Sequence, residues 1–279
     1  MCVIAAKWFP EIGWVGIKQR DRNYTPKLTS ENIPGRNGGD VTLYVDEMTG
    51  YREGLNSDSV GILSASLKVA DDEKEIEKSS DKHSGDGDRI EKALSKGNLK
   101  DAVKTCIKEK LTGNTIIFDK DRLFLLEACT KPCREGEKEE GEYEFKLKEI
   151  PKTETVARTN HGVDLSWAGY QNTGETNERM SRKSSESRLK IARAIVKKAK
   201  TPKLMLDLLC KEYSKDPQMN TLRKVSGNKK MRTTAQIAIV PSEAAMYIRP
   251  IDTRIDKNIE ISSQPELRLL PKKSLEKGG

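Results

Sequence analysis

Apolar and polar positions at the start of the chain fall into two short bursts, CVIAAKWF and GWVGIKQ, parted by a break at Pro10, Glu11 and Ile12. This predicts a β-hairpin that begins almost at the first residue. VTLYVD, a turn at Met48, Thr49 and Gly50, then YREGLN and VGILSASL continue in strand style, with Gly54 and Gly61 marking tight backbone. Residues 71–88 are nearly all charged, Ser or Gly, and read as a solvated loop or linker. Two helices are predicted next. The first covers 89–96; the second follows an Asn98 cap, with Leu99, Ala102, Val103 and Cys106 on one stripe. NTIIFD and RLFLLEACT form a second strand run across a turn at Lys120 and Asp121, and YEFKLKEI and TVARTNHGVDL extend it past an acidic loop at 135–142. A helical block over about 176–214 is broken at Pro202, and TTAQIAIV and AAMYIRPI close the pattern as strands.

Strands in consecutive runs, with helices in separate blocks, indicate an α+β fold of antiparallel sheets. No internal repeat is visible. The reading is one domain over 1–264, with a charged and helical segment at about 70–112, and a loose charged tail at 265–279. A chain of 279 residues is long enough to bury a large core without staples.

Charge narrows the class only a little. Lys and Arg total 51 against 43 acidic residues, a net +8 spread along the chain, which permits a nucleic-acid partner without demanding one. The lysines at 197–203 fall on the outward arc of a helix with no aromatic platform beside them, so they read as a solvated face and nucleic acid is not expected. No apolar run has the length of a membrane span, and the apolar start at 3–6 is cut short by Lys7; a cytoplasmic protein is expected. The five cysteines are sparse and odd in number. Cys129 and Cys133 are the nearest pair, but His83 and His161 lie far off in sequence, so neither a disulfide framework nor a metal site is expected, and no cofactor is called for.

Cys2 is the most informative position. Removal of the initiator Met would leave one residue carrying both a thiol and a free α-amine, whose ordinary pKa values of about 8.5 and 8 suit a nucleophile and its base. An ordinary buried first-strand cysteine is the competing reading. Polar residues interrupt strand ends at Arg20 and Asp21, at Asn56 in GLNSDSVGI, and at Asn160 in RTNHG; each taken singly is a common turn residue. On a helix through ESRLKIARAIVKKA, Leu189, Ala192, Ile195, Val196 and Ala199 share one arc, and Arg188 falls inside it. An arginine there requires an anion, either a structural carboxylate or a site group.

In order along the chain, MCVIAAK, GIKQRDRNY, GLNSDSVGI, GNTIIFD with RLFLLEA, VARTNHGVDL, SSESRLKIARAI and TTAQIAIVPSEAAMYI resemble the cysteine class of N-terminal-nucleophile hydrolases, in particular the choloylglycine hydrolase and penicillin acyltransferase-like group of linear amide hydrolases. The resemblance implies a four-layer αββα sandwich, two stacked antiparallel sheets covered by helices. It implies Cys2 as nucleophile, Asp21 as the acid holding the freed amine, and Arg20 as the nearby cation. Asn160 and Asn56 would form the oxyanion hole, and Arg188 is the matching arginine of the following helix. Several relatives place arginine three positions before the aspartate, where this chain has Lys18, so Lys18 or Arg22 stands as an alternative to Arg20. His161 reads as a substrate contact or structural group in preference to the base of a Cys-His dyad.

The implied activity is hydrolysis of a linear, non-peptide or terminal amide C–N bond through a thioester on Cys2, with a small-molecule amide as partner. An acyltransferase using the same site, and a non-catalytic basic binding module on the same scaffold, remain open alternatives. A homo-oligomer is compatible with the sequence.

Overall fold

The opening hairpin forms where the two apolar bursts and the break between them predict it. Strand β1 (Cys2–Phe9) pairs antiparallel with β2 (Gly13–Arg22), from Cys2 opposite Arg20 to Phe9 opposite Gly13. The computed structural model describes residues 2–35, 39–67, 85–131, 141–170, 176–225, 231–251 and 268–269.

Two antiparallel sheets result. The first has the order β10-β1-β2-β11-β12-β13, with β10 (Thr155–Arg158), β11 (Arg232–Val240), β12 (Ala245–Pro250) and β13 (Arg268–Leu269) around the hairpin. The second is a meander in chain order, β3 (Leu28–Pro34), β4 (Asp40–Asp46), β5 (Tyr51–Asn56), β6 (Gly61–Ala65), β7 (Gly113–Phe118), β8 (Leu123–Thr130) and β9 (Tyr143–Ile150). Helices α1 (Gly85–Leu94) and α2 (Leu99–Lys108) lie between β6 and β7 in sequence; α3 (Thr176–Lys198) and α4 (Pro202–Leu209) lie between β10 and β11.

The two-residue strand period sorts side chains into layers. Even residues of β1 and β2, Cys2, Ile4, Ala6 and Trp14, join Leu55, Leu63, Ile116 and Phe118 of the second sheet in a core between the sheets. Odd residues Val3, Ala5, Val15 and Ile17 turn outward and pack under Leu189, Ala192, Ile195 and Val196 of α3 and Met205 of α4. Leu43, Ile62 and Ile117 do the same beneath Ile90, Leu94 and Val103 of α1 and α2. Each such fully buried aliphatic side chain is worth about 1.5–3 kcal/mol, which is what holds four layers together. Gly16 lets the sheets approach, since a Cβ there would lie 2.4 Å from Phe118 Cζ.

Several boundaries depart from the sequence reading. Helix α1 starts at Gly85, inside the segment expected as loop: Asp86 and Asp88 sit in its first turn, where carboxylates complement the helix dipole, and Gly87 passes so close to Gly50 O that a Cβ would meet it at 2.4 Å. Strand β3 was not expected, because LTSENIP has little apolar content; it is a half-exposed edge strand paired with β4 along its length. The strand through TVAR ends at Arg158, and His161 makes only an isolated bridge to Gly169. In the tail, Arg268 and Leu269 pair with Ile248 and Tyr247, so that stretch is not loose. The rest of 265–279, residues 71–84 and 135–140, His83 and Cys133 lie outside the described residues. Asn98 caps α2 as predicted, accepting from Asp101 N at 3.0 Å. The break at Pro202 is the start of α4, where a fixed φ suits the first turn. Among the described residues no helix is long and apolar enough to cross a membrane.

Candidate active site

Because β1 and β2 are in register from their first pair, the inward face of the hairpin presents Cys2 beside three cations at alternate positions of β2, Lys18, Arg20 and Arg22. All but Arg22 are essentially inaccessible, and Arg22 is 16% exposed. The facing strands β4 and β5 answer with two carboxylates. Lys18 Nζ bonds Glu53 Oε1 at 2.5 Å and Ser64 O at 2.6 Å, while the Arg20 guanidinium pairs with Asp46. Tyr24 donates to Asp46 Oδ2 at 2.5 Å and receives a bond from Arg22 Nε at 3.1 Å. The Tyr51 ring lies among all three cations, with Lys18 Nζ 4.6 Å from its centroid.

This inner cluster of three cations and two carboxylates carries one surplus positive charge, and the Cys2 sulfur is positioned to balance it. Arg22 Nη1 lies 3.6 Å from Sγ. Burial pushes the thiol pKa up, but Lys18, the chain's N-terminal charge and Arg22 together outweigh burial and Asp21, bringing it from 9.0 down to about 6. Reciprocally, burial would depress the Arg22 guanidinium, and the Cys2 thiolate, Tyr24 and Asp46 more than offset this, holding it above its ordinary value. Lys18 moves down, chiefly through burial, against Glu53 and Cys2. Burial instead raises Cys106, to about 12, and it raises Cys210 despite the lowering effect of Arg249 beside it. The thiolate is therefore the favoured form of Cys2 near neutrality.

Asn160 reaches the same residue from the end of β10. Its Oδ1 accepts from Cys2 N at 2.6 Å, its Nδ2 donates to Ser66 O at 2.7 Å, and its backbone N–H is held by Ser185 Oγ at 3.1 Å. An amide carries two N–H groups, so a second donor remains on Nδ2 beyond the one given to Ser66. Asp21, at an odd position of β2, faces α3. There Arg188 Nη2 meets its Oδ2 at 2.5 Å and Thr233 Oγ1 donates to its Oδ1 at 2.8 Å. Both Asp21 and Arg188 are wholly buried, so the arginine in the apolar arc of α3 is neutralised by the aspartate next to the site.

Three expected residues are placed differently. Asn56 sits at an even position of β5, whose inward residues are the odd ones, and so faces α1. Its Nδ2 donates to Leu94 O at 2.8 Å and Gly97 O at 2.6 Å, and its Oδ1 accepts from Val60 N at 2.9 Å. Its own N–H goes to Val60 O at 3.1 Å, so neither side chain nor backbone has a donor left for an oxyanion. Arg20 stands directly opposite Cys2 in register, yet its guanidinium is drawn to Asp46 and it is Arg22 that reaches the sulfur. His161 turns toward α3, where Nδ1 bonds Ser185 Oγ at 2.8 Å and Thr159 Oγ1 at 3.1 Å. Asp46 and Glu53 escaped the sequence reading. Their signal was there: within VTLYVD and YREGLN they share the parity of Tyr44 and Leu55, both of which lie in the core between the sheets.

No protein-family model and no curated protein sequence matches the chain. Among solved structures, the C2A mutant of conjugated bile acid hydrolase from Clostridium perfringens is similar over 98% of this chain and 97% of its own, at 11% identity and a TM-score of 0.52. Penicillin V acylase from Agrobacterium tumefaciens is similar over 89% of this chain and 83% of its own, at 8% identity and a TM-score of 0.44. The bile acid hydrolase likeness spans both sheets and all four layers and is a likeness of fold. With its stacked antiparallel sheets and helices on both outer faces, the chain has the four-layer fold of the N-terminal-nucleophile hydrolases.

Proposed function

We propose that this protein is a hydrolase of linear, non-peptide or terminal amide C–N bonds that works through a thioester on Cys2 once Met1 is removed. The observation that carries the reading is the surplus positive charge around Cys2, which favours a thiolate on the residue whose nitrogen is held by Asn160 at 2.6 Å. Nucleophile, base and oxyanion donor then converge on one residue. The bile acid hydrolase of the same fold was solved as a C2A mutant, so its native chain also carries cysteine at its second position.

In this scheme the Cys2 sulfur attacks the amide carbonyl carbon, forming an S–C bond and a tetrahedral oxyanion. The second N–H of Asn160 Nδ2 stabilises that oxygen, a contribution of about 10² to 10³ in rate for one donor. The freed α-amine of Cys2, oriented by Asn160 Oδ1, supplies a proton to the leaving nitrogen as the C–N bond breaks. It then takes a proton from water, whose oxygen attacks the thioester and releases the acid and the thiolate. Lys18 and Arg22 keep the sulfur anionic between turnovers. Asp21, anchored by Arg188 and Thr233, adds the negative charge that favours the protonated amine.

The test is labelling by a thiol-directed acyl probe across single substitutions. Cys2→Ala is expected to abolish labelling, and Cys129→Ala, Cys133→Ala and Cys210→Ala to retain it. Labelling that persists in Cys2→Ala contradicts the assignment. N-acyl amino acids, penicillins and small peptidyl amides, read by mass spectrometry, cover the substrate class.

A further inference from the structure

The strand end that brings Asn160 to Cys2 turns the next residue, His161, into a separate groove of about 490 Å³ between residues 161–166 and α3. The His161 ring is 4% exposed and lines this groove. Its Nδ1 is engaged by Ser185 and Thr159, whereas its Nε2 makes no hydrogen bond with any described residue. A nearly buried imidazole that lines a cavity and keeps one nitrogen without a partner among the described residues is a group available to a ligand.

The surroundings state what kind. Lys190 and Arg193 line the same groove, and neither has an ion-pair partner among the described residues. Arg193 is further crowded: burial and the nearby Arg158 push its guanidinium below the usual value, against the opposing pull of Asp164. Arg182, also at the groove, is already used, bonding Glu186 Oε1 at 2.7 Å and Tyr170 O at 2.9 Å. Glu186 leaves one carboxylate on the lining, which disfavours a doubly charged ligand. Val163, 38% exposed, and Leu189 supply an apolar wall. Burial pushes His161 down to about 4, with Arg182 adding to the effect, so the ring is neutral near neutrality and Nε2 can carry the proton it would donate. The Ser185 hydroxyl, 2.8 Å from Nδ1, gives that nitrogen its hydrogen bond in the required tautomer by turning away from Thr159 Oγ1, 2.9 Å off.

We infer that this groove is a second ligand site, for a small monocarboxylate with a short apolar chain. Lys190, Arg193 and His161 Nε2–H receive the carboxylate, and Val163 and Leu189 receive the chain. The inference rests on the groove alone and is independent of the chemistry at Cys2.

The chain has two histidines, so its imidazole proton resonances can be assigned with a single His83→Gln variant. Titration of the full chain with hexanoate at about pH 7, where an unperturbed histidine is mostly neutral, is expected to shift the His161 resonance saturably and leave His83 in place. Acetate, lacking most of the apolar chain, should bind about 10-fold more weakly, and inorganic phosphate no better than acetate. The exposed pair Lys190→Gln with Arg193→Gln should weaken hexanoate binding by about 10-fold or more. A His161 resonance indifferent to hexanoate, undiminished binding in the double variant, or phosphate binding more tightly than hexanoate would each overturn the site.

Discussion

Arg22 Nη1 lies 3.6 Å from the sulfur of Cys2, although the two residues are not opposite each other in the β1–β2 register. The register partner, Arg20, is committed to Asp46, so the guanidinium two residues further along the same face is the one that meets the thiolate.

A titration follows. Difference absorbance of the thiolate between wild type and Cys2→Ala should show a midpoint near 6, against an ordinary thiol value of 9.0. Arg22→Gln should move that midpoint upward. The sign for stability follows from a folded value below the unfolded one: the contribution of this group is complete above about pH 9 and is lost as pH falls through about 6. Denaturant unfolding of wild type and Cys2→Ala across that window reads it, and a wild-type midpoint near 9 contradicts the charge argument.

Arg188 and Asp21 are buried together at 2.5 Å, and removing one partner strands the other. Arg188→Met is expected to cost about 3–5 kcal/mol in urea unfolding. Combining it with Asp21→Asn should recover part of that loss. If the double variant is as unstable as the sum of the two single changes, the pair is not the coupled unit described here.

The two asparagines should separate stability from turnover. Asn56→Ala leaves Leu94 O, Gly97 O and Val60 N without their partner and should lower unfolding stability by about 2–4 kcal/mol, while folded molecules keep their turnover. Asn160→Ala should instead lower kcat by about 10² to 10³ with little change in KM, as expected of a donor that acts on the transition state. A pure rise in KM in Asn160→Ala would rule out the oxyanion role.

Most strands and helices were legible in the chain because apolar runs bounded by turn residues are a local signal, while the four layers came from the family resemblance. CVIAAKWF and GWVGIKQ declare the hairpin, whose two faces only the structure separates, and the apolar arc of α3 exposes Arg188 as the exception. Arg188 stands out as the polar member of that arc and Cys2 as the residue that follows Met1, whereas Asp21 and Asn160 are common turn residues singly and drew their roles from the family resemblance alone. Which cation meets the sulfur could not, since Lys18, Arg20 and Arg22 share one face and the choice among them is made by Asp46 and Glu53 on the other sheet. Asn56 was misread because a turn-like NSD motif gives no face; only its parity in β5 shows that it points at α1. Strand β3 escaped because an edge strand with few apolar residues has no periodicity to read.

His161 gives a second pH signature. Its folded value, pushed from 6.5 to about 4 chiefly by burial, lies below that of the unfolded chain. The unfolded state therefore binds the proton first, and the stability tied to this ring is intact above about 6.5 and lost as pH falls toward 4. Replacing the ring by His161→Gln should flatten the fall of unfolding free energy across that interval. An unchanged slope would show that the imidazole titrates as it does in water.

Whether Cys2, with its amine free, becomes acylated is read by intact-mass spectrometry of the purified chain before and after brief exposure to a slowly hydrolysed acyl donor. The expected result is a chain lacking Met1 that gains the mass of one acyl group, with the gain absent in Cys2→Ala. A chain that retains Met1, or an acyl gain that survives Cys2→Ala, would contradict it.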